Sequence, residues 1–381
     1  MGVRETLRES AVMAELLAEK PSRRPVIFYA EDSFTYVQFE GYVETLLTQG
    51  KFPITYVTSD SADPLLNIQR EGLVVRHIHR QLGRFMGKLR GSVVVMTMPD
   101  LGQFHIPKPS DSLVLYVFHS LNSTHTAYRS GAFDHYDIFA CTGPHHVTEL
   151  SAMRQIRGLD PVELAQTGYY KLDRISRNHQ DRSGGHNDPP EVLLAPSWGK
   201  DNILEAHGEQ IVSAVLDEGL KVIVRPHPQF FHSLYPEGRL VVDKLRSRFE
   251  AEPSVRFELS IDTETSFHSS DLMISDWSGA AFEYALGTLR PVLFVDTPPK
   301  IFNPEWQLLG LPAFESYMRS EVGAVIAAEA VGTIGRSVTA QLEERDSHQD
   351  RLAELRGRNV YNPGHSADAG AALIGELVGR L

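Results

Sequence analysis

The sequence predicts an α/β protein built from two doubly wound parallel sheets, and three observations carry that prediction. Short apolar runs alternate with helical patterns along the whole chain. Several of these runs are apolar on both faces, as strands covered by helices on either side must be. The alternation is interrupted once, by a polar stretch with paired glycines and paired prolines, and then restarts.

Taken in order, the chain opens with "MGVRETLRESAVMAELLAEK", an amphipathic helix pattern with Leu7, Val12, Leu16 and Leu17 assigned to one face. Its mixed charges fit packing on its own domain rather than docking on a membrane, and it lacks the apolar centre of a signal peptide. Strands follow at "PVIFYA", "PITYVT", "GLVVRHI", "SVVVMTM", "SLVLYVF" and "DIFACT", with helical segments such as "VQFEGYVETLLTQ" between them. The stretch "NHQDRSGGHNDPPE" reads as a linker. Beyond it come "EVLLAP", a helix near 202 to 218, "KVIVRP", a helix near 231 to 249, "VRFELS", "DLMISD", a further helix and "PVLFVD". The closing "SADAGAALIGELVGRL" is a helix able to return to the first half. These boundaries divide the chain into domains at 1–180 and 181–360, with a C-terminal helix at 361–381.

A chain of 381 residues exceeds one core, and 42% hydrophobic residues suffice for two. The formal charge of −12 argues against a general nucleic-acid binder, which relies on clustered Lys and Arg. Cys141 is the single cysteine, so neither an intramolecular disulfide nor a cysteine-cluster zinc site can form, in keeping with a reducing cytoplasm. No run reaches the length of about 20 apolar residues that a bilayer demands. Dinucleotide and phosphate-loop glycine motifs, the GxSxG elbow and HExxH are all missing, so no cofactor and no metal is expected.

Open α/β sheets bind ligands at the carboxyl ends of their strands, so polar residues there are the candidates. In "KVIVRPHPQF", Arg225 ends a strand and His227 stands between two prolines that hold the backbone extended. A guanidinium and an imidazole on such a stiff segment suit phosphate binding. In "ISDWSGAAFEY", Ser275, Asp276, Ser278 and Gly279 mark a strand handing over to a helix. Ser278 either caps that helix or joins its open N–H groups in holding an anion. The first half offers "FHSLNSTHTAYR", where His119 leaves a strand and Asn122, Ser123, Thr124 and His125 crowd the exit as candidate substrate-binding groups. His119 is the best candidate base, because imidazole titrates near neutrality. Tyr128 and Arg129 either contact an anion or cover the surface. Ser197 and Trp198 in "LLAPSWGKDN" form a phosphate or base cradle or an ordinary turn, "TGPHH" reads as a helix start, and "IDTET" suits capping as well as a loose acidic pair.

On these residues the chain resembles the CDP-glycerol glycerophosphotransferase family, the teichoic-acid and capsule polymerases of bacteria. The matching segments are "RPHP", "ISDWSGAAFEYALGTLRPVLFVDTP", "LLAPSW" and "TGYYKLDRI", the last like the family's Gly-x-x-x-x-Asp at its domain junction. The resemblance implies the GT-B arrangement of two facing Rossmann-like domains, acceptor side first and nucleotide-donor side second. It implies a reaction in which an acceptor hydroxyl attacks the β-phosphate of CDP-glycerol or CDP-ribitol, forming a phosphodiester and releasing CMP. By the same match, His119 and His227 correspond to two family histidines, and Ser275, Asp276 and Ser278 to the donor-phosphate segment, with Arg225 and Gly279 beside them. The implied partners are a CDP-alcohol and a glycan or lipid-linked acceptor, and the implied location is the cytoplasm, with the inner face of the cell membrane an option that lipid-linked acceptors raise. The first histidine departs from the family pattern, standing in "FHSLNSTH" rather than Trp-His-Gly, so the donor class is better defined than the acceptor. A GT-B glycosyltransferase acting in capsule or lipopolysaccharide synthesis, a nucleotide-sugar epimerase and a non-catalytic nucleotide-binding protein of the same fold are the alternatives.

Overall fold

The computed structural model describes residues 2–181, 187–231, 235–259 and 264–381. Part of the expected linker (182–186) and the first three residues of "IDTET" therefore lie outside the described residues. The chain forms two compact units. The first comprises Met1–Lys171, Phe302–Leu311 and Val360–Leu381, and the second Leu172–Ile301 and Pro312–Asn359.

In the first unit the strands are β1 (Val26–Ala30), β2 (Ile54–Thr58), β3 (Leu73–His77), β4 (Val93–Met96), β5 (Leu113–Val117), β6 (Ile138–Cys141) and β7 (Glu163–Gln166). They form one parallel sheet in the order β3-β2-β1-β4-β5-β6-β7, with Val26 of β1 paired to Ile54 on one side and Val93 on the other. Alternate side chains enter two separate cores. Ile27, Tyr29, Val94, Met96, Tyr116 and Phe139 point into one, and Val26, Phe28, Val93, Val95, Leu115 and Ile138 into the other. This two-sided burial is the physical reason for the continuous apolar runs.

The helix Gly2–Ala18 packs on this unit through Met13 and Leu16, but Leu7 is 64% exposed, which corrects its assignment to the same face. Nine residues separate Leu7 from Leu16, and at about 100° per residue the two side chains emerge on opposite sides. The closing helix Ser366–Gly379 lies against the helix Tyr36–Gln49. Gly370 permits that approach, because a Cβ there would fall 2.3 Å from the Tyr42 ring. At Gly168 the backbone is left-handed (φ +91°), and a Cβ would meet the Tyr361 carbonyl oxygen at 2.1 Å. The glycine of "TGYYKLDRI" is thus required by conformation and by space.

The second unit holds β8 (Glu191–Leu194), β9 (Lys221–Val224), β10 (Val255–Phe257), β11 (Leu272–Ser275), β12 (Val292–Asp296) and β13 (Gly323–Ala327), parallel and ordered β10-β9-β8-β11-β12-β13. The helix expected near 202 to 218 is Ile203–Asp217, and Asn202 caps it by accepting from the Leu204 and Glu205 amides. The helix expected near 231 to 249 is a 3-10 turn at Pro228–Phe231 and a helix over Gly238–Phe249. β7 and β13 escape the sequence reading. Both are edge strands whose side chains are half-exposed or exposed; "ELAQ" of β7 shows no apolar run, whereas "GAVIA" of β13 is a short apolar run that by itself does not distinguish a strand from part of a helix. Among the described residues, no helix is long and apolar enough to cross a membrane.

Each sheet reverses its strand order once, between β1 and β4 and between β8 and β11. Above such a reversal the flanking loops diverge and leave a crevice at the carboxyl ends.

Candidate functional site

In the second unit, two loops flank the reversal. The Ser275 hydroxyl, fully buried at the end of β11, donates to the Ala195 carbonyl beyond β8 (2.7 Å). The next residue, Asp276, is also buried and accepts from the amides of Ser197 (2.6 Å) and Ile203 (3.1 Å). Burial raises the Asp276 carboxyl above its ordinary range, opposed by those amides and by Lys300. The two loops are thereby fixed to one another, and Ser275 and Asp276 act on position rather than facing outward.

Ser278 occupies the N-cap position of the helix Gly279–Thr288 in extended backbone, yet its hydroxyl makes no capping bond. Side-chain capping is therefore not its role, and the first-turn amides of Gly279 and its neighbours have no side-chain cap at that end. Trp277, between them, donates its indole N–H to the Thr297 carbonyl (2.8 Å). Beneath the indole lies the buried Arg319 guanidinium, 4.0 Å from the ring centre and bonded to Asp296 (2.7 Å).

At the end of β9, Arg225 lies 3.5 Å from Glu258 and 4.8 Å from the centre of the Phe267 ring. Burial lowers the Arg225 pKa, and Glu258, Glu264 and Glu283 counter that effect. His227 accepts the Gln229 amide at Nδ1 (3.2 Å), which leaves Nε2 to carry the proton of the neutral ring. Its ring centre is 6.1 Å from that of Trp198. Arg225, His227, Ser197, Trp198, Ser278 and Gly279 thus gather at the carboxyl ends of β8, β9 and β11.

In the first unit, His119 leaves β5 with an exposed ring whose Nε2 is 3.0 Å from the Tyr128 hydroxyl. Its carbonyl accepts from the Tyr169 hydroxyl (2.9 Å). The neighbouring candidates turn inward. Ser123 Oγ (2.7 Å), Thr124 Oγ1 (2.7 Å) and the Thr124 amide (2.6 Å) all donate to the buried Glu149 carboxylate, and His125 Nδ1 lies 3.4 Å from it. Burial would raise the Glu149 carboxyl, but His125 and the nearby His146 and His145 outweigh it and hold the group at about 2. Asn122 offers its carbonyl to His146 Nε2 (3.1 Å), while His146 Nδ1 pairs with Thr142 Oγ1 (2.9 Å). Burial pushes His145 down to about 4 and His146 well below the usual imidazole range. Arg129 is tied to Asp100 (2.8 Å) and covers Phe104. A separate pocket in this unit is lined by Phe133, Met153, Arg157, Trp306 and Leu308 among others, and of the residues singled out in sequence His125 and Arg129 border it.

Sequence reasoning missed Glu149, Lys300 and the contact of Tyr128 with His119. Glu149 sits mid-helix with no motif around it. Lys300 had a signal, a cation set behind two prolines after a strand.

The model of the CDP-Glycerol:Poly(glycerophosphate) glycerophosphotransferase family matches residues 119–300, just under half of the chain. No curated protein matches the chain. Among solved structures, the chain is similar to the wall teichoic acid polymerase TagF at 13% identity and TM-score 0.62, over 99% of this chain and 98% of that one. It is similar to the UDP-GlcNAc 2-epimerase from Methanocaldococcus jannaschii at 10% identity and TM-score 0.53, over 92% and 99%. WaaG, a glycosyltransferase involved in lipopolysaccharide biosynthesis, is similar at 12% identity and TM-score 0.50, over 92% and 99%. At such identities these structures establish the fold, an α/β chain with two Rossmann-like doubly wound domains of the GT-B type.

Proposed function

We propose that this chain, whose residues 119–300 match the CDP-glycerol:poly(glycerophosphate) glycerophosphotransferase family model, is a transferase of the CDP-glycerol type that moves a glycerol-phosphate or ribitol-phosphate unit from a CDP-alcohol to a hydroxyl of a glycan or teichoic-acid-like acceptor. The acceptor oxygen attacks the β-phosphorus, the bond to the bridging oxygen breaks, and CMP leaves with that oxygen. Two needs follow: donors must neutralise the diphosphate, and a base must take the hydroxyl proton.

His119 is the proposed base, its exposed ring oriented by Tyr128. His227 offers Nε2–H to a phosphate oxygen, because Nδ1 is already an acceptor. The uncapped end of the helix Gly279–Thr288 and the Ser278 hydroxyl supply neutral donors. Arg225 adds positive potential while held by Glu258. Ser275 and Asp276 position the loop, and Ser197 and Trp198 form its opposite wall. Asn122, Ser123, Thr124 and His125 shape the acceptor side through Glu149 and the backbone rather than by direct contact. The proposed location is the cytoplasm, in contact with the inner membrane face when the acceptor is lipid-linked.

The observation that carries this reading is the family match, which begins at His119 and runs through the carboxyl ends of β5, β8, β9 and β11. The test is CMP release from CDP-glycerol and CDP-ribitol in the presence of a glycerol-phosphate oligomer. His119→Ala and His227→Ala each reduce kcat by about 100-fold or more. Wild-type turnover in both variants, or turnover of a nucleotide sugar in place of the CDP-alcohols, refutes the reading.

A further inference from the structure

Lys300 stands four residues beyond β12, behind Pro298 and Pro299. Each proline holds its own φ near −65°, so the lysine hangs on a stiff tether. The tether starts at Thr297, whose carbonyl is bonded to the Trp277 indole. At its far end Nζ lies 4.1 Å from the centre of the Trp198 ring. Trp198 belongs to the loop after β8, and β11 runs between β8 and β12 in the sheet. The ammonium therefore spans the end of β11, over the reversal of strand order where the Ser278 helix begins.

Its electrostatic setting points the same way. Asp276 is the carboxylate that Lys300 feels, and that carboxylate already accepts two backbone amides. Burial lowers the Lys300 pKa to about 8, with Asp276 opposing. An ammonium half-removed from water recovers that cost when a polyanion arrives. Arg225, the cation that the sequence singled out, rests instead against Glu258 and Phe267.

We propose that Lys300 is a donor-binding residue, whose ammonium over Trp198 neutralises the diphosphate of the nucleotide and makes the site prefer nucleoside diphosphates to monophosphates. The assignment rests on the transferase reading for the identity of the nucleoside, but not for its phosphate chemistry. Besides Asp276, the charged groups of the same loops are Lys200 and Asp201 on the β8 loop, Glu205 at the following helix start, Arg225 and His227 at the end of β9, and Asp296, bonded to Arg319, at the end of β12.

Calorimetric titration of CDP, CMP and inorganic pyrophosphate separates the outcomes. Lys300→Met weakens CDP and pyrophosphate by about 10- to 100-fold, the range of a lost charged hydrogen bond. CMP changes by less than about threefold, and Lys300→Arg keeps most of the affinity. A second readout uses two buffers of different ionisation enthalpy at pH 8, where wild type takes up part of a proton on binding CDP. That uptake disappears in Lys300→Arg and Lys300→Met and persists in His227→Gln. Melting of the unliganded variants checks that each is folded. Equal losses for CDP and CMP, unchanged CDP affinity in Lys300→Met, or a wild type that binds neither CDP nor pyrophosphate overturns the assignment. If UDP and GDP bind as tightly as CDP with the Lys300 effect intact, the cytidine-donor reading fails and Lys300 keeps its role.

Discussion

Replacing Glu149 by glutamine separates charge from shape at the exit of β5. The carboxylate is 2% exposed and accepts from Ser123 and Thr124 beside His125, so the segment after His119 is anchored through this one side chain. Its folded pKa of about 2 lies below the ordinary 4.5, so the ionised form is the one that folding favours. The stabilisation is complete above the unfolded value and is lost as pH falls through the folded one. At about 1.4 kcal/mol per pH unit, the difference amounts to about 3 kcal/mol at pH 7 and about 1 kcal/mol at pH 3. Glutamine keeps the volume and one carbonyl acceptor but cannot carry the charge. Urea unfolding of Glu149→Gln and wild type, followed through Trp306 near His125, reads the difference at pH 7, 5, 4 and 3. The expected gap is largest at pH 7 and 5 and shrinks by more than half at pH 3. A gap below about 1 kcal/mol at pH 7, or one that stays constant down to pH 3, refutes the charge-based anchor.

Two further outcomes follow from the geometry. Asp276→Ala strands the buried amides of Ser197 and Ile203, at about 1–3 kcal/mol each, so the variant loses about 2–6 kcal/mol of stability by urea unfolding. A loss below about 0.5 kcal/mol contradicts the locking role. Tyr128→Phe removes the hydroxyl on His119 Nε2, lowering kcat by about 3- to 10-fold with the donor KM unchanged, because the residues proposed for the donor side belong to the other unit. A change in donor KM alone places the effect of Tyr128 elsewhere.

The fold class was legible because burial on both faces leaves a local mark. Runs such as "PVIFYA" and "KVIVRP" must be apolar at every position to sit between two helix layers, and the composition records that directly. The edge strand β7 has no such obligation and its residues read as loop, while the short apolar run of β13 suits a strand or part of a helix equally. The placing of His119 and His227 at strand ends and of Ser278 at a helix start was legible for another reason. Strand ends and helix starts carry their polar residues next to each other in sequence, as in "RPHP" and "ISDWSG". A helix face is less transparent, and Leu7 shows how an apolar residue nine positions away ends on the wrong side.

The sequence by itself determined the two-sheet α/β class, the strand ends that carry His119, Arg225, His227 and Ser278, and the family resemblance. Only tertiary structure decided which of those side chains are presented and which are spent internally. Glu149 lies 24 or more residues from the Ser123–His125 segment that it anchors, Asp276 reaches back more than 70 residues to the β8 loop, and Lys300 crosses β11 to meet Trp198. Each depends on strand order, and no local pattern encodes which strand lies beside which. Pairing across a sheet comes from packing the whole chain, and so does the division of polar residues between those that build a site and those that face it.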